Sequence, residues 1–367
     1  MTGGPIDVSV LVTTYRRPRH LALALESLAL QQCGPTTLEV IVSDDGSDDQ
    51  TPEVVRTFAA SAPFPVRFTT QPHDGFRLAR VRNRAARLAT GRYLLFLDGD
   101  CIVPRHHVAA HVDRRRHGTA LLGYCARLPA EANRLLVPEN LALTNLAGLV
   151  PASERRSLAR RRRRAWWHAI VRHPTKPRLA GGDFGVWRDD FERVNGFDER
   201  FVGWGQEDDD LGLRLRASGV RLETILGQTH SLHVWHETDV TATPRWRDGV
   251  NVRYFERPGR LTACRHGLVA RPARALTWGL PDDLTATPLG RAIAAHLAGA
   301  TRAAAGAACE IEMVVRPGRG QFTREADCRL AIVADERDVS AAVARTADTV
   351  VVATDDATLA GALDTVG

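Results

Sequence analysis

The chain has 367 residues, 44% of them hydrophobic, which is enough for one large domain or two ordinary ones with real cores. The net charge of +6 comes from 49 Lys and Arg against 43 Asp and Glu; it is carried almost wholly by arginine and does not by itself define a nucleic-acid binder. Six cysteines lack any C-x-x-C pair, so the sequence signals neither a zinc knuckle nor a disulfide framework, and no apolar run is long enough to span a bilayer.

In chain order, "VSVLVTTY" (8–15) is a β-branched run, followed by a helix over 19–32 with Leu21, Leu25 and Leu28 on one face. "LEVIVSDDGS" (38–47) reads as a second buried strand ending in acids, and Thr51-Pro52 opens another helix as cap and first-turn proline. "PVRFTT" (65–70) is a third strand, 77–90 a helix closed by Gly91, and "RYLLFLD" (92–98) a fourth strand. This alternation predicts an α/β fold with a mainly parallel sheet covered by helices on both faces. In such sheets ligands collect at the carboxyl ends of strands, where Thr13 to Tyr15, Asp44 to Ser47 and Asp98 to Asp100 all fall. Each cluster alone also makes a good turn.

From 104 to 180 the pattern loosens, with helical stretches near 105–117 and 139–149 and then "SERRSLARRRRRAWWHAI" (153–170). The run Arg160 to Arg164 before Trp166-Trp167 reads first as a solvated helix face, and second as a cover over a site for an anionic or lipid-linked partner; nucleic acid is not expected. "GQEDDDLGLRLRASG" predicts a helix from about Gln206 to Gly219, with acids where the helix dipole favours them. Asp208 shares an i, i+3, i+7 stripe with Leu211 and Leu215, with Glu207 beside it. Asp210 lies four before Arg214 and is expected to pair with it in solvent. Past about 265 the composition shifts, and 270–367 reads as a small α/β appendage with strands near 310–315, 329–335 and 349–354.

Together the segments "VSVLVTTYRRP", "EVIVSDDGSDD" and "LLFLDGD" resemble the nucleotide-binding half of family-2 inverting glycosyltransferases of the GT-A, Rossmann-like fold. "GGDFGVWRDDFERVNGFDERFVGWGQEDDDLGLRL" resembles the galactosyltransferase-type motif shared by chondroitin-polymerase-like enzymes and β1,4-galactosyltransferases. The likeness covers about residues 6 to 240 and implies a GT-A domain over 1–265, with a nucleotide-binding half (1–125) and an acceptor and catalytic half (175–240).

A departing nucleoside diphosphate asks for a hard divalent ion, and residues i and i+2 of an extended chain can offer two carboxylates to one region. The resemblance makes Asp100 a ligand of Mn2+ (or Mg2+), with Asp98 reaching the ribose or the ion's waters. His236, and after it His233, is the added ligand, and Gly99 leaves room for phosphates. It places the uridine half of a UDP-sugar over Thr13, Tyr15, Asp44 and Asp45, with Arg77 better placed than Arg82 to touch it, and lines the donor-sugar pocket with Gly181, Gly182 and Asp183. Asp208 becomes the general base, Glu207 holds sugar hydroxyls, Asp209 supports the acceptor, and Trp204 between two glycines stacks on a sugar ring. The implied activity is metal-dependent, inverting transfer of a hexose or N-acetylhexosamine to a saccharide or glycoconjugate hydroxyl, in the cytoplasm or peripherally at the inner face of a membrane. A sugar-nucleotidyltransferase would want an early glycine-rich phosphate loop, which "VTTYRRP" lacks, and a non-catalytic glycan-binding protein would have no need of the full acid set.

Overall fold

Seven consecutive residues, Val8–Thr14, are all buried, and this run forms β1, an interior strand of the main sheet in the computed structural model. The structure describes residues 5–237, 249–257, 259–304, 306–315, 322, 325–339 and 341–366. The chain divides into two compact units, 1–255 and 256–367. Among the described residues no helix is long and apolar enough to cross a membrane.

In the first unit, β1 is joined by β2 (Leu38–Asp44), β3 (Val66–Thr70) and β4 (Tyr93–Asp98), all parallel. Beyond them run β5 (Cys101–Ile102), β6 (Thr119–Leu122), β7 (Cys125–Arg127), β8 (Asp183–Trp187), β9 (Arg221–Thr224) and β10 (Ser231–His233). The main sheet has the order β3-β2-β1-β4-β8-β6-β9, with β8 antiparallel to both its neighbours, while β5, β10 and β7 form a small second sheet. The α-helices among the unit's described residues are α1 (Pro18–Ala29), α2 (Thr51–Ser61), α3 (Leu78–Leu88), α4 (His107–Arg114), α5 (Leu146–Leu149), α6 (Ala152–Ile170), α7 (Arg188–Arg193), α8 (Glu207–Ala217) and α9 (Val250–Phe255).

Alternate strand residues explain the layering. Val8, Val10, Val12, Leu95 and Leu97 pack with Leu21, Leu25 and Leu28 of α1 and Val55 of α2. On the opposite face Phe96 stacks on Phe184 at 4.5 Å and meets Phe191 and Phe197. Register aligns Thr13 with both Ser43 and Asp98, and Thr14 with Asp44, so the three polar strand ends stand at one level. Because β8 runs the other way, its first residue pairs with Leu97 and the preceding Gly181-Gly182 arrives at the same edge.

The second unit holds a five-stranded parallel sheet in which Cys309–Val315 and Ala326–Val333 are central, flanked by Thr277–Gly279, Thr301–Arg302 and Thr349–Val352. Trp278, Ile311, Met313, Leu330 and Ile332 fill its core.

Candidate active site

At the edge built by β4, Asp98 is bound by its neighbours rather than left as a solvated turn. Its Oδ1 accepts from Thr13 Oγ1 at 3.2 Å and from Arg82 Nη2 at 3.1 Å. Arg82, on the inner face of α3, is 2% exposed and reaches with Nη1 to Glu207 Oε1 at 3.2 Å. One guanidinium thus ties the strand-end acid to the first residue of α8. Arg82 is therefore a buried bridge and not a solvated helix charge, while Arg77 pairs with Asp74 of its own loop at 2.5 Å.

The glycines follow from that contact. A Cβ at Gly181 would lie 2.4 Å from Arg82 Nη1, and one at Gly182 would lie 2.7 Å from Asp98 Oδ2. Gly99 is required by the sheet itself, since a Cβ there would sit 2.8 Å from the Thr13 carbonyl oxygen. Gly182→Ala is expected to cost about 1–3 kcal/mol through overpacking. Gly227→Ala, where nothing but the Arg162 side chain comes within 4 Å, at 3.7 Å, is expected to be near neutral. Urea unfolding of the two variants checks this.

Asp100 belongs to a different group. Its Oδ2 lies 3.3 Å from His236 Nε2, 3.7 Å from His233 Nε2 and 2.9 Å from Arg17 Nη1. Burial would raise its pKa, but the two imidazoles and Arg17 outweigh that and hold the carboxyl well below the usual range. The three candidate ligand atoms of Asp100, His233 and His236 lie within 4.8 Å of one another, and His236 Nε2 is buried without a hydrogen-bond partner. One carboxylate and two imidazoles suit a divalent ion such as manganese. Asp98, expected to reach the ribose or the ion's waters, is outside this set: its Oδ1 is held by Thr13 and Arg82, and its side chain is one third exposed.

The α8 acids divide unevenly. Gln206, in the left-handed region at φ 76° after Gly205 at 87°, turns the chain into the helix. Glu207 is buried, with Oε2 lacking any partner; burial and the neighbouring Asp208 push its carboxyl up to about 7 against the pull of Arg82. Asp208 accepts from Gly181 N at 3.1 Å and from Asp209 N at 2.8 Å, and burial raises its pKa too. Asp209 pairs with Arg178 at 3.0 Å and is pushed to about 6 by burial and Asp208. Asp210 does pair with Arg214, at 2.7 Å, but both are fully buried, not solvated: Arg214 also donates to the Val194 carbonyl and anchors the helix in the core.

On the β2 side, Asp45 is buried and receives Gln71 Nε2 at 2.7 Å and Arg77 N at 3.0 Å, next to Tyr15 stacked on His73 at 4.4 Å. Asp44 is corrected: fully buried, it accepts from Gly46 N, Ser47 N, Ser47 Oγ and Thr70 Oγ1, which uses up its acceptor capacity in closing the loop. Asp183 is also corrected. Its pairing with Leu97 sends its side chain to the face opposite Asp98, where it meets His107 and His111. Trp204 stacks on Phe76 at 4.6 Å, so one ring face is taken by protein. Sequence reasoning missed Arg17, Gln71 and His73; Arg17 had a signal in its place directly after the strand-end Thr13-Thr14-Tyr15.

A mainly parallel sheet with two acids at the end of its central strand, one of them joined through an arginine to an acid-rich helix start, frames the candidate site, and the relatives of the chain are named glycosyltransferases. Residues 9–164 match the family model described as glycosyl transferase family 2 and residues 170–237 that described as N-terminal domain of galactosyltransferase, which is consistent with a family-2 glycosyltransferase carrying a galactosyltransferase-type segment. Validoxylamine A glucosyltransferase of Streptomyces hygroscopicus subsp. limoneus is 33% identical over 63% of this chain and 52% of its own length. Chondroitin synthase of Escherichia coli is 27% identical over 60% of this chain and 34% of its own. The chain spans about half the length, or less, of these curated relatives. Among solved structures, a mannosyltransferase of Pyrobaculum calidifontis in complex with GDP-Man and Mn2+ overlaps 61% of this chain and 57% of its own with 23% identity and a TM-score of 0.42.

Proposed function

We propose that the chain is a metal-dependent, inverting glycosyltransferase that moves a hexose or N-acetylhexosamine from a UDP-sugar to a hydroxyl of a saccharide or glycoconjugate. The observation that carries this reading is the Arg82 bridge, which holds Asp98, two residues from Asp100, and Glu207, next to Asp208, on one guanidinium. Asp100, His233 and His236 would hold Mn2+ or Mg2+, which supplies charge neutralisation on the leaving diphosphate. Asp45 offers buried carboxylate oxygens to a base N–H beside Tyr15, and Thr13 lies at the strand end below. Gly181 and Gly182 shape the donor-sugar side, and Trp204 and Asp209 the acceptor side. Asp208 takes the proton of the acceptor hydroxyl as that oxygen attacks the anomeric carbon, and Glu207 orients a hydroxyl through its unpartnered oxygen. Helix α6, with Trp166 and Trp167 more than half exposed after the arginine run, supports an anionic or lipid-linked acceptor and peripheral membrane contact from the cytoplasm.

The test is a screen of UDP-, GDP- and dTDP-sugars with and without Mn2+, against free and lipid-linked saccharides. Manganese-dependent turnover of one UDP-sugar is expected; turnover unaffected by chelation, or of GDP- or dTDP-sugars alone, contradicts the proposal. The raised carboxyls also set a pH dependence. A base works only when ionised, and burial raises the Asp208 carboxyl above its ordinary value, between neighbours Glu207 and Asp209 that are raised to about 7 and about 6. We expect kcat/KM to rise with pH along an acid limb displaced above the ordinary carboxylate range, read from a full pH profile; a limb at the ordinary aspartate value contradicts the assignment.

A further inference from the structure

Beneath the strand ends, on the face of the sheet away from Arg82, lies a second cluster that the transfer reaction does not use. His107 and His111 stand one turn apart on α4, and Asp183 opens β8 between them and β10. His107 is 1% exposed in its side chain, and His111 and Asp183 are 0% exposed. His107 Nε2 is 3.3 Å and His111 Nε2 3.6 Å from the same Asp183 oxygen, Oδ1.

All three atoms are buried without a hydrogen-bond partner, which is costly unless something sits among them. The outer atoms are satisfied. His107 Nδ1 lies 2.9 Å from Thr229 Oγ1, His111 Nδ1 faces Tyr93 Oη at 3.5 Å, and Asp183 Oδ2 accepts from Ser231 N at 3.1 Å. Rings whose outer nitrogens are engaged in this way turn their other nitrogens inward, as metal-bound histidines do. Four ligands at tetrahedral zinc distances lie about 3.3 Å apart along each edge, close to the two separations seen here. The neighbouring glycines fit the same arrangement: a Cβ at Gly123 would lie 2.3–2.4 Å from the Asp183 carboxyl atoms, and one at Gly185 would lie 2.2 Å from Tyr93 Oη.

We propose that His107, His111 and Asp183 form a buried zinc site, separate from the Asp100 cluster, with a water as the fourth ligand. The site is structural. Asp183 follows Gly181-Gly182, the pair pressed against Arg82 and Asp98, and its Oδ2 holds Ser231, two residues before His233. Zinc here would pin β8 and β10, and through them both parts of the active site.

The proposal rests on metal content and needs no turnover, so its failure is distinct from failure of the proposed activity. The full chain is loaded with zinc, freed of loosely held metal by brief chelation and analysed by elemental mass spectrometry, as wild type and as His236→Ala, Asp183→Asn and His107→Gln. We expect His236→Ala to keep one equivalent, and Asp183→Asn and His107→Gln each to lose one equivalent relative to wild type and to melt earlier. Zinc content unchanged in Asp183→Asn, or absent from His236→Ala, overturns the site. Should the cluster variants fail to fold, Co2+ added to His236→Ala decides: the visible band of a four-coordinate ion supports the site, and its absence overturns it.

Discussion

Asp208→Asn is expected to lower kcat by about 10²–10⁴-fold while leaving Mn2+-dependent UDP affinity within about twofold of wild type. The asparagine has one acceptor oxygen where Asp208 uses two, so it can keep the bond from Gly181 N that holds the loop carrying the glycine pair while giving up the bond from Asp209 N along with the proton acceptor. Glu207→Gln separates the neighbouring role. Its Oε1 is held by Arg82 and its Oε2 is free to meet a hydroxyl, so that variant should raise KM for acceptor or donor more than it lowers kcat. Single-turnover transfer and calorimetric titration with UDP and Mn2+ read the two effects. Near-normal turnover in Asp208→Asn removes the base assignment.

Arg82→Leu should produce the largest loss of stability. Arg82 is fully enclosed and faces two carboxylates; its removal leaves Asp98 and buried Glu207 without a countercharge, at a cost of about 3–5 kcal/mol. The penalty should depend on pH with a definite sign. Glu207 has a folded pKa raised to about 7 by burial and Asp208, so its protonated form favours the folded state below its unfolded pKa, and that contribution is lost as pH rises through 7. Without Arg82 the raise grows. The variant should therefore be closest to wild type at pH 5 and weakest at pH 8, in urea melts at both values. A penalty independent of pH would show that the Arg82–Glu207 pair is not the cause.

The strands β1 to β4 and their parallel arrangement were legible because buried strands are continuous apolar runs alternating with helices, and their polar ends align once the sheet is parallel. The reversal of β8 was not, and it misled the reading of Asp183: in the string Gly181-Gly182-Asp183 the three look like one wall, but the side-chain alternation of an antiparallel strand sends the aspartate through the sheet. Arg82 was obscured by its surroundings, since Arg80, Arg84 and Arg87 share its helix and only packing decides which arginine turns inward. For Asp210 the spacing to Arg214 revealed the partner but not the depth, because i, i+4 geometry is the same on a solvated face and a buried one. Asp44 shows the reverse case: acid and glycine at a strand end suit a ligand and a turn equally, and three local hydrogen bonds, with a fourth from Thr70 at the end of β3, decide for the turn. The histidines of the Asp100 cluster were found because three of them fall within seven positions, and β10 and the residues after it bring His233 and His236 back to the acid.

The most direct measurement is an anomalous scattering map, at the manganese edge, from crystals of the full chain soaked with Mn2+ and a UDP-sugar. The account predicts a peak bonded to Asp100 and to His233 or His236, with the diphosphate against it and the sugar reaching toward Glu207 and Asp208. A map with no manganese at Asp100, or with the donor bound away from the Arg82 bridge, contradicts it.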